Sequence, residues 1–87
     1  MQRKRVKSNI MPTIFTFFGF RFMFYSNDHE PIHVHIVKGD CEAKYNVNPL
    51  GLVYNHGFKK QEIALIESII EENVEVIIDR WNAHFRK

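Results

Sequence analysis

The sequence predicts an α+β domain, a small antiparallel β-sheet of three to five strands packed on one face by a C-terminal helical pair, or by a single bent helix. Three observations predict it. Residues 13–47 alternate side chains with period two and are rich in β-branched and aromatic residues, the signature of strands. Turn residues at Gly19, Gly39-Asp40 and Asn48-Pro49 cut this half into short segments. From Ile63 onward, Ile66, Ile70, Val74, Ile77, Trp81 and Phe85 recur at three- and four-residue spacing, the stripe of an amphipathic helix.

Eighty-seven residues make one domain, and a chain of this size buries only about 60–65% of the surface its unfolded form exposes. The core must therefore be simple. With 45% hydrophobic and 14% aromatic residues, eight of them Phe, the composition is that of a globular protein. The longest nearly apolar run, Met11 to Phe20, ends at Arg21, short of the roughly 20 residues a membrane span needs. No small-residue cleavage site follows it, so a secretory signal is not indicated. The single Cys41 has no partner for an intramolecular disulfide and gives no sign of an oxidising compartment. The expected location is the cytoplasm.

The net charge of +2 has an uneven origin. Four of the twelve basic residues lie in the first ten positions, leaving eight basic against ten acidic residues, or −2, in the rest. Residues 1–10 are thus read as a basic N-terminal extension, expected to be disordered, and residues 11–87 as the single α+β domain. The body is not a basic protein.

Taken in order, residues 13–18 and 20–26 read as two strands around Gly19, which permits a tight turn or a bulge. In the second, Phe20, Phe22 and Phe24 share the core face, and Arg21, Met23 and Tyr25 the other. Residues 26–31 carry turn chemistry and end at Pro31, which pushes Glu30 toward extended geometry. Residues 32–38 alternate again, with Ile32, Val34 and Ile36 in one row and His33 and His35 in the other. Gly39-Asp40 supplies a hairpin turn into a strand over 41–47, which brings Glu42 and Lys44 beside the two histidines. Residues 52–54 read as a short edge strand. One helix from 59 to 85 would be nearly 40 Å long at about 1.5 Å per residue. Asn73, a residue type favoured at caps and in left-handed geometry, divides it into helices over 59–71 and 74–86.

The chemistry concentrates in residues 28–35, which hold three of the five histidines and two of the ten acids. On a strand, His33 and His35 point the same way with Cα atoms about 6–7 Å apart. Such a pair can hold a metal, a phosphate or a proton in transit, and imidazoles titrate near neutral pH. The plain alternative is that strand positions merely tolerate histidine. A metal needs three or four ligands. His33, His35 and Glu30 are the weak candidates, with Asp28, His29 and the distant His56 as further ones. No ligand set is complete in the sequence, so a phosphate or a protein partner is favoured over a metal, and no cofactor is expected. His33, His35, Lys44 and Arg21 form the candidate catalytic set, with imidazoles as acid and base and the two cations stabilising a phosphoryl group. Taken singly, Lys44 and Arg21 read more simply as solvated. Cys41 and the isoleucine series read as core. Phe15, Phe17 and Phe18 lack the interleaved basic residues of a nucleic-acid stacking surface.

The stretches Met11-Pro12-Thr13-Ile14, Phe22-Met23-Phe24-Tyr25-Ser26, Glu30-Pro31-Ile32-His33-Val34-His35, Ala43-Lys44, Gly57-Phe58 and Trp81-Asn82 together resemble a bacterial domain-of-unknown-function family, family 4160. Its usual central motif is close to Pro-Pro-His-Val-His, and Ile32 replaces the second proline here. The resemblance implies that residues 1–10 precede the domain proper, and that Glu30, Pro31, His33, His35 and Lys44 are its characteristic positions. It carries no established activity. Its members resemble small proteins encoded beside another short gene, as in toxin–antitoxin modules. The leading expectation is a toxin–antitoxin-type component acting on or binding RNA through its His/Lys/Arg surface, as a metal-independent ribonuclease if it is an enzyme. The alternatives are a non-enzymatic regulator or antitoxin-like module that docks another protein, and a metal-binding protein. The partners this admits are a cognate protein from a neighbouring gene, RNA and a second copy of the chain; no membrane is expected.

Overall fold

The computed structural model describes residues 13–86, and the basic extension at residues 1–10 lies outside them. Among the described residues, β1 (Thr13–Phe17), β2 (Phe20–Met23), β3 (His33–Lys38), β4 (Cys41–Val47) and β5 (Leu50–His56) precede α1 (Lys60–Glu72) and α2 (Val74–Phe85). The strands pair antiparallel in chain order as a five-stranded meander. The α+β class and the pair of helices stand as expected.

The turns explain the meander. Phe17 pairs with Phe20 across Phe18 and Gly19, both at positive φ, so Gly19 serves a tight turn. The bulge sits earlier, between Thr13 and Phe15. Lys38 pairs with Cys41 across Gly39-Asp40. Only Gly39 has positive φ there, the arrangement of a type II′ turn, which accepts Gly first where a type I′ turn would need Asp-Gly or Asn-Gly. Asn48 and Pro49 form the third turn, and β5 then starts at Leu50. It is seven residues long, where the sequence suggested three. β2, by contrast, stops at Met23, because the backbone of Tyr25 bonds to Asp28 instead of to a strand.

One face of the sheet carries Phe20, Phe22, Val34, Ile36, Ala43, Tyr45 and Val47, all buried against Ile66, Ile69, Ile70, Ile77 and Trp81 of the helices. Phe24 meets Trp81 edge-on at 5.3 Å and Phe20 meets Phe58 at 5.6 Å. Each fully buried side chain of this size contributes about 1.5–3 kcal/mol. Glu62 accepts a hydrogen bond from Lys59 N at 2.8 Å and so opens α1. Asn73 separates the helices, but at φ −129° rather than in left-handed geometry, and its side chain donates to Ile69 O instead of capping α2. No described helix is long and apolar enough to cross a membrane.

Candidate functional site

The second sheet face carries Met23 and Tyr25, then His33 and His35 on β3, Glu42 and Lys44 on β4, and Tyr54 on β5. Antiparallel register sets this row, pairing Met23 with His35, His35 with Lys44 and Lys44 with Tyr54. The histidines are not solvated: each is only 4% exposed. Two features cover them. Trp81 of α2 packs edge-on against the His33 ring at 5.2 Å, and the 24–32 loop folds back over the end of β3.

That loop delivers Asp28. Asp28 N donates to Tyr25 O at 3.0 Å, which closes a tight turn, and Tyr25 N donates to Asp28 Oδ2 at 2.8 Å, which aims the carboxylate back at the sheet. Asp28 Oδ1 then lies 3.1 Å from His33 Nε2, and Asp28 Oδ2 lies 3.3 Å from His35 Nε2. Ligating atoms of the three side chains all fall within 4.8 Å of one another.

The far nitrogen of each ring fixes its tautomer. His33 Nδ1 is 2.8 Å from Pro31 O, a carbonyl that can only accept, so Nδ1 carries a hydrogen. His35 Nδ1 is 3.3 Å from Glu42 Oε2. Glu42 is itself held by hydrogen bonds from Tyr54 at 2.7 Å and Tyr25 at 3.0 Å. With both Nδ1 atoms donating, a neutral ring presents its Nε2 lone pair to Asp28. His33 Nε2 is in fact buried with no hydrogen-bond partner, although Asp28 Oδ1 lies 3.1 Å away.

An Nε2 lone pair facing the Asp28 carboxylate would be repelled by it, so a proton or a cation belongs between them. Burial by itself would raise the Asp28 carboxyl, but His33, His35 and the Tyr25 backbone N–H outweigh it and hold the group well below the usual carboxylate range. Glu42 is lowered in the same way, burial being outweighed by the Tyr54 and Tyr25 hydroxyls and by His35. The cost falls on the phenols. Burial, then Glu42, pushes Tyr25 up to about 12 and Tyr54 higher still. Two carboxylates therefore stay ionised among buried groups. Two positive charges at the cluster would offset them, as one divalent cation between the rings supplies.

A cleft of about 430 Å³ reaches this cluster, with Asp28 and His33 on its wall and His29, Lys44, Asn46 and Val53 around them. Of the residues singled out in the sequence, His33, His35 and Asp28 come together and Lys44 stands beside them. Arg21 is exposed and pairs with Val37, further along the sheet, though its charge is felt at Tyr25. Glu30 lies in the cleft lining and pairs with Arg86 at 3.3 Å, outside the three-residue cluster. His56 stacks on Tyr54 at 4.6 Å. Tyr54 was not singled out, because the register that brings it over Glu42 depends on a bulge between Lys44 and Tyr45.

The family described as Domain of unknown function (DUF4160) matches residues 19–82. The chain belongs to that family. The DUF4160 match spans β2 to Asn82 and so includes every residue of the cluster. Neither the curated proteins nor the solved structures yield a match.

Proposed function

We propose that this DUF4160 chain binds a divalent transition metal through Asp28, His33 Nε2 and His35 Nε2, and that the metal serves chemistry in the adjoining cleft. The observation that carries the reading is the buried, unpartnered His33 Nε2 within a ring of ligand atoms. Ligand atoms around a tetrahedral or octahedral ion at about 2.0–2.1 Å lie about 2.8–3.4 Å apart; Asp28 Oδ1 lies 3.1 Å from His33 Nε2 and 3.4 Å from His35 Nε2, and the three ligand atoms all fall within 4.8 Å of one another. Ligating histidines generally donate their other N–H to a carbonyl or a carboxylate, and here Pro31 O and Glu42 fill those roles. Two nitrogens and one carboxylate suit zinc or iron(II) better than magnesium or calcium, which take oxygen ligands. Such an ion polarises a bound oxygen or lowers the pKa of a bound water.

Calorimetric titration of zinc into the chelator-stripped protein tests this. One ion per chain is expected, with binding abolished in His33→Ala and in Asp28→Asn. Equal uptake by the wild type and both variants refutes the site.

A second reading is the metal-independent action on RNA, with both imidazoles protonated against Asp28 and Glu42. The position of Lys44 beside the pair favours it. RNA cleavage that persists in full after chelation and is lost in His35→Ala supports this reading against the metal one.

A further inference from the structure

The cleft holds a cation that the cluster does not use. Among the described residues, the Lys44 ammonium makes no ion pair or hydrogen bond, although the carboxyl groups of Asp28, Glu30 and Glu42 lie on its side of the sheet or in the cleft lining. Each carboxylate already has partners: Asp28 the histidines, Glu42 the two phenols and His35, Glu30 the Arg86 guanidinium. Lys44 is half-buried on β4, directly opposite His35, and shares the cleft wall with His33 and Asp28. Asn46, two residues along the same face and opposite His33, adds an amide without a hydrogen-bond partner among the described residues.

The three carboxyl groups being engaged elsewhere, Lys44 is the cation left facing the cleft. Three protein donors also leave at least one position of a four-coordinate ion unfilled. We infer, resting on the metal reading above, that the cleft takes the phosphate group of a phosphate ester between the metal and Lys44, with Asn46 donating to the same group and Val53 bounding the remainder of the ligand. Phosphate fits better than carboxylate, because the site offers three partners, the metal, Lys44 and Asn46, and a carboxylate has only two oxygens to give them.

The test uses cobalt(II), whose visible spectrum reports its ligands. The stripped protein is loaded with cobalt and titrated with inorganic phosphate. A spectral change saturating with phosphate is expected, with affinity weakened at least tenfold in Lys44→Met and largely retained in Lys44→Arg. The cobalt spectrum of each variant before phosphate is added shows whether the centre and fold survive the substitution. Failure of the wild type to take up cobalt overturns the metal reading itself. Cobalt uptake with no response to phosphate, or a response unchanged in Lys44→Met, overturns the phosphate inference alone. Competition by a dinucleoside monophosphate assigns the ester to nucleic acid, and competition by glycerol phosphate without it assigns a small metabolite.

Discussion

Replacing Glu42 with Gln removes a charge while keeping the shape of the side chain, and it isolates what the second layer of the site does. Glu42 Oε2 accepts from Tyr54 at 2.7 Å and Tyr25 at 3.0 Å and stands 3.3 Å from His35 Nδ1. A glutamine at this place still offers one oxygen to the phenols, so the loop and strands keep their positions. It no longer offers His35 an anionic acceptor, so the ring loses basicity at Nε2. Groups in this role typically change metal affinity by about 10–100-fold, which is about 1.4–2.7 kcal/mol. The change in folding stability should be smaller, about 1 kcal/mol, because a charge-assisted hydrogen bond becomes a neutral one at a site that is not fully buried. Zinc affinity is measured by competition with a chelator of known strength, and stability by urea unfolding of the metal-free protein. A readout specific to Glu42 accompanies them: the Tyr25 phenol, held at about 12 by burial and then by Glu42, should titrate closer to 10 when followed by its ultraviolet absorbance. Zinc affinity within twofold of wild type, together with a shifted phenol, would show that Glu42 does not support a metal through His35.

Two further outcomes test the fold. Gly57→Ala should destabilise the domain by about 1–3 kcal/mol in urea unfolding, since Gly57 sits at φ +105° and a Cβ there would meet Cys41 Sγ at 2.9 Å. A midpoint unchanged from wild type contradicts the turn geometry. Tyr45→Phe should cost about 1.5–3 kcal/mol at neutral pH, because it removes the 2.7 Å hydrogen bond to Glu67 that ties β4 to α1. It should also lessen alkaline sensitivity. Burial, then Glu67, raises the Tyr45 phenol above its ordinary 10, so its contribution is complete below pH 10 and is lost as pH rises through the higher folded value. Parallel stability–pH curves above pH 10 for wild type and variant would count against this.

Much of the fold was legible because its signals are local. Period-two alternation placed His33 and His35 on the face opposite Val34 and Ile36, and the 3.6-residue stripe with Asn73 placed both helices. Gly39-Asp40 set the β3–β4 register and with it the opposition of His35 and Lys44. What could not be read depends on contacts distant in sequence or on loop geometry. β5 looked short because Leu50 and Gly51 resemble turn residues, yet they pair with Val47 and Asn46. Asp28 was a candidate ligand among several, and only the turn from Tyr25 to Asp28 separates it from Glu30, which faces outward to Arg86. Trp81 is core, as the helical stripe predicts, but its edge also closes the site over His33, a contact 48 residues away in the chain. Burial, which takes the two strand histidines out of solvent, is therefore the property the sequence hid.

The Nε2 atoms of His33 and His35, not their Nδ1 atoms, point to Asp28, and in the proposed site they bind the metal with it. The most direct measurement is the nitrogen-15 spectrum of the imidazole rings during zinc addition. Zinc should shift Nε2 of His33 and His35 while both Nδ1 atoms stay protonated, with His29, His56 and His84 unchanged. Zinc-induced shifts at His29, His56 or His84 alone, or at none of the rings, would contradict it.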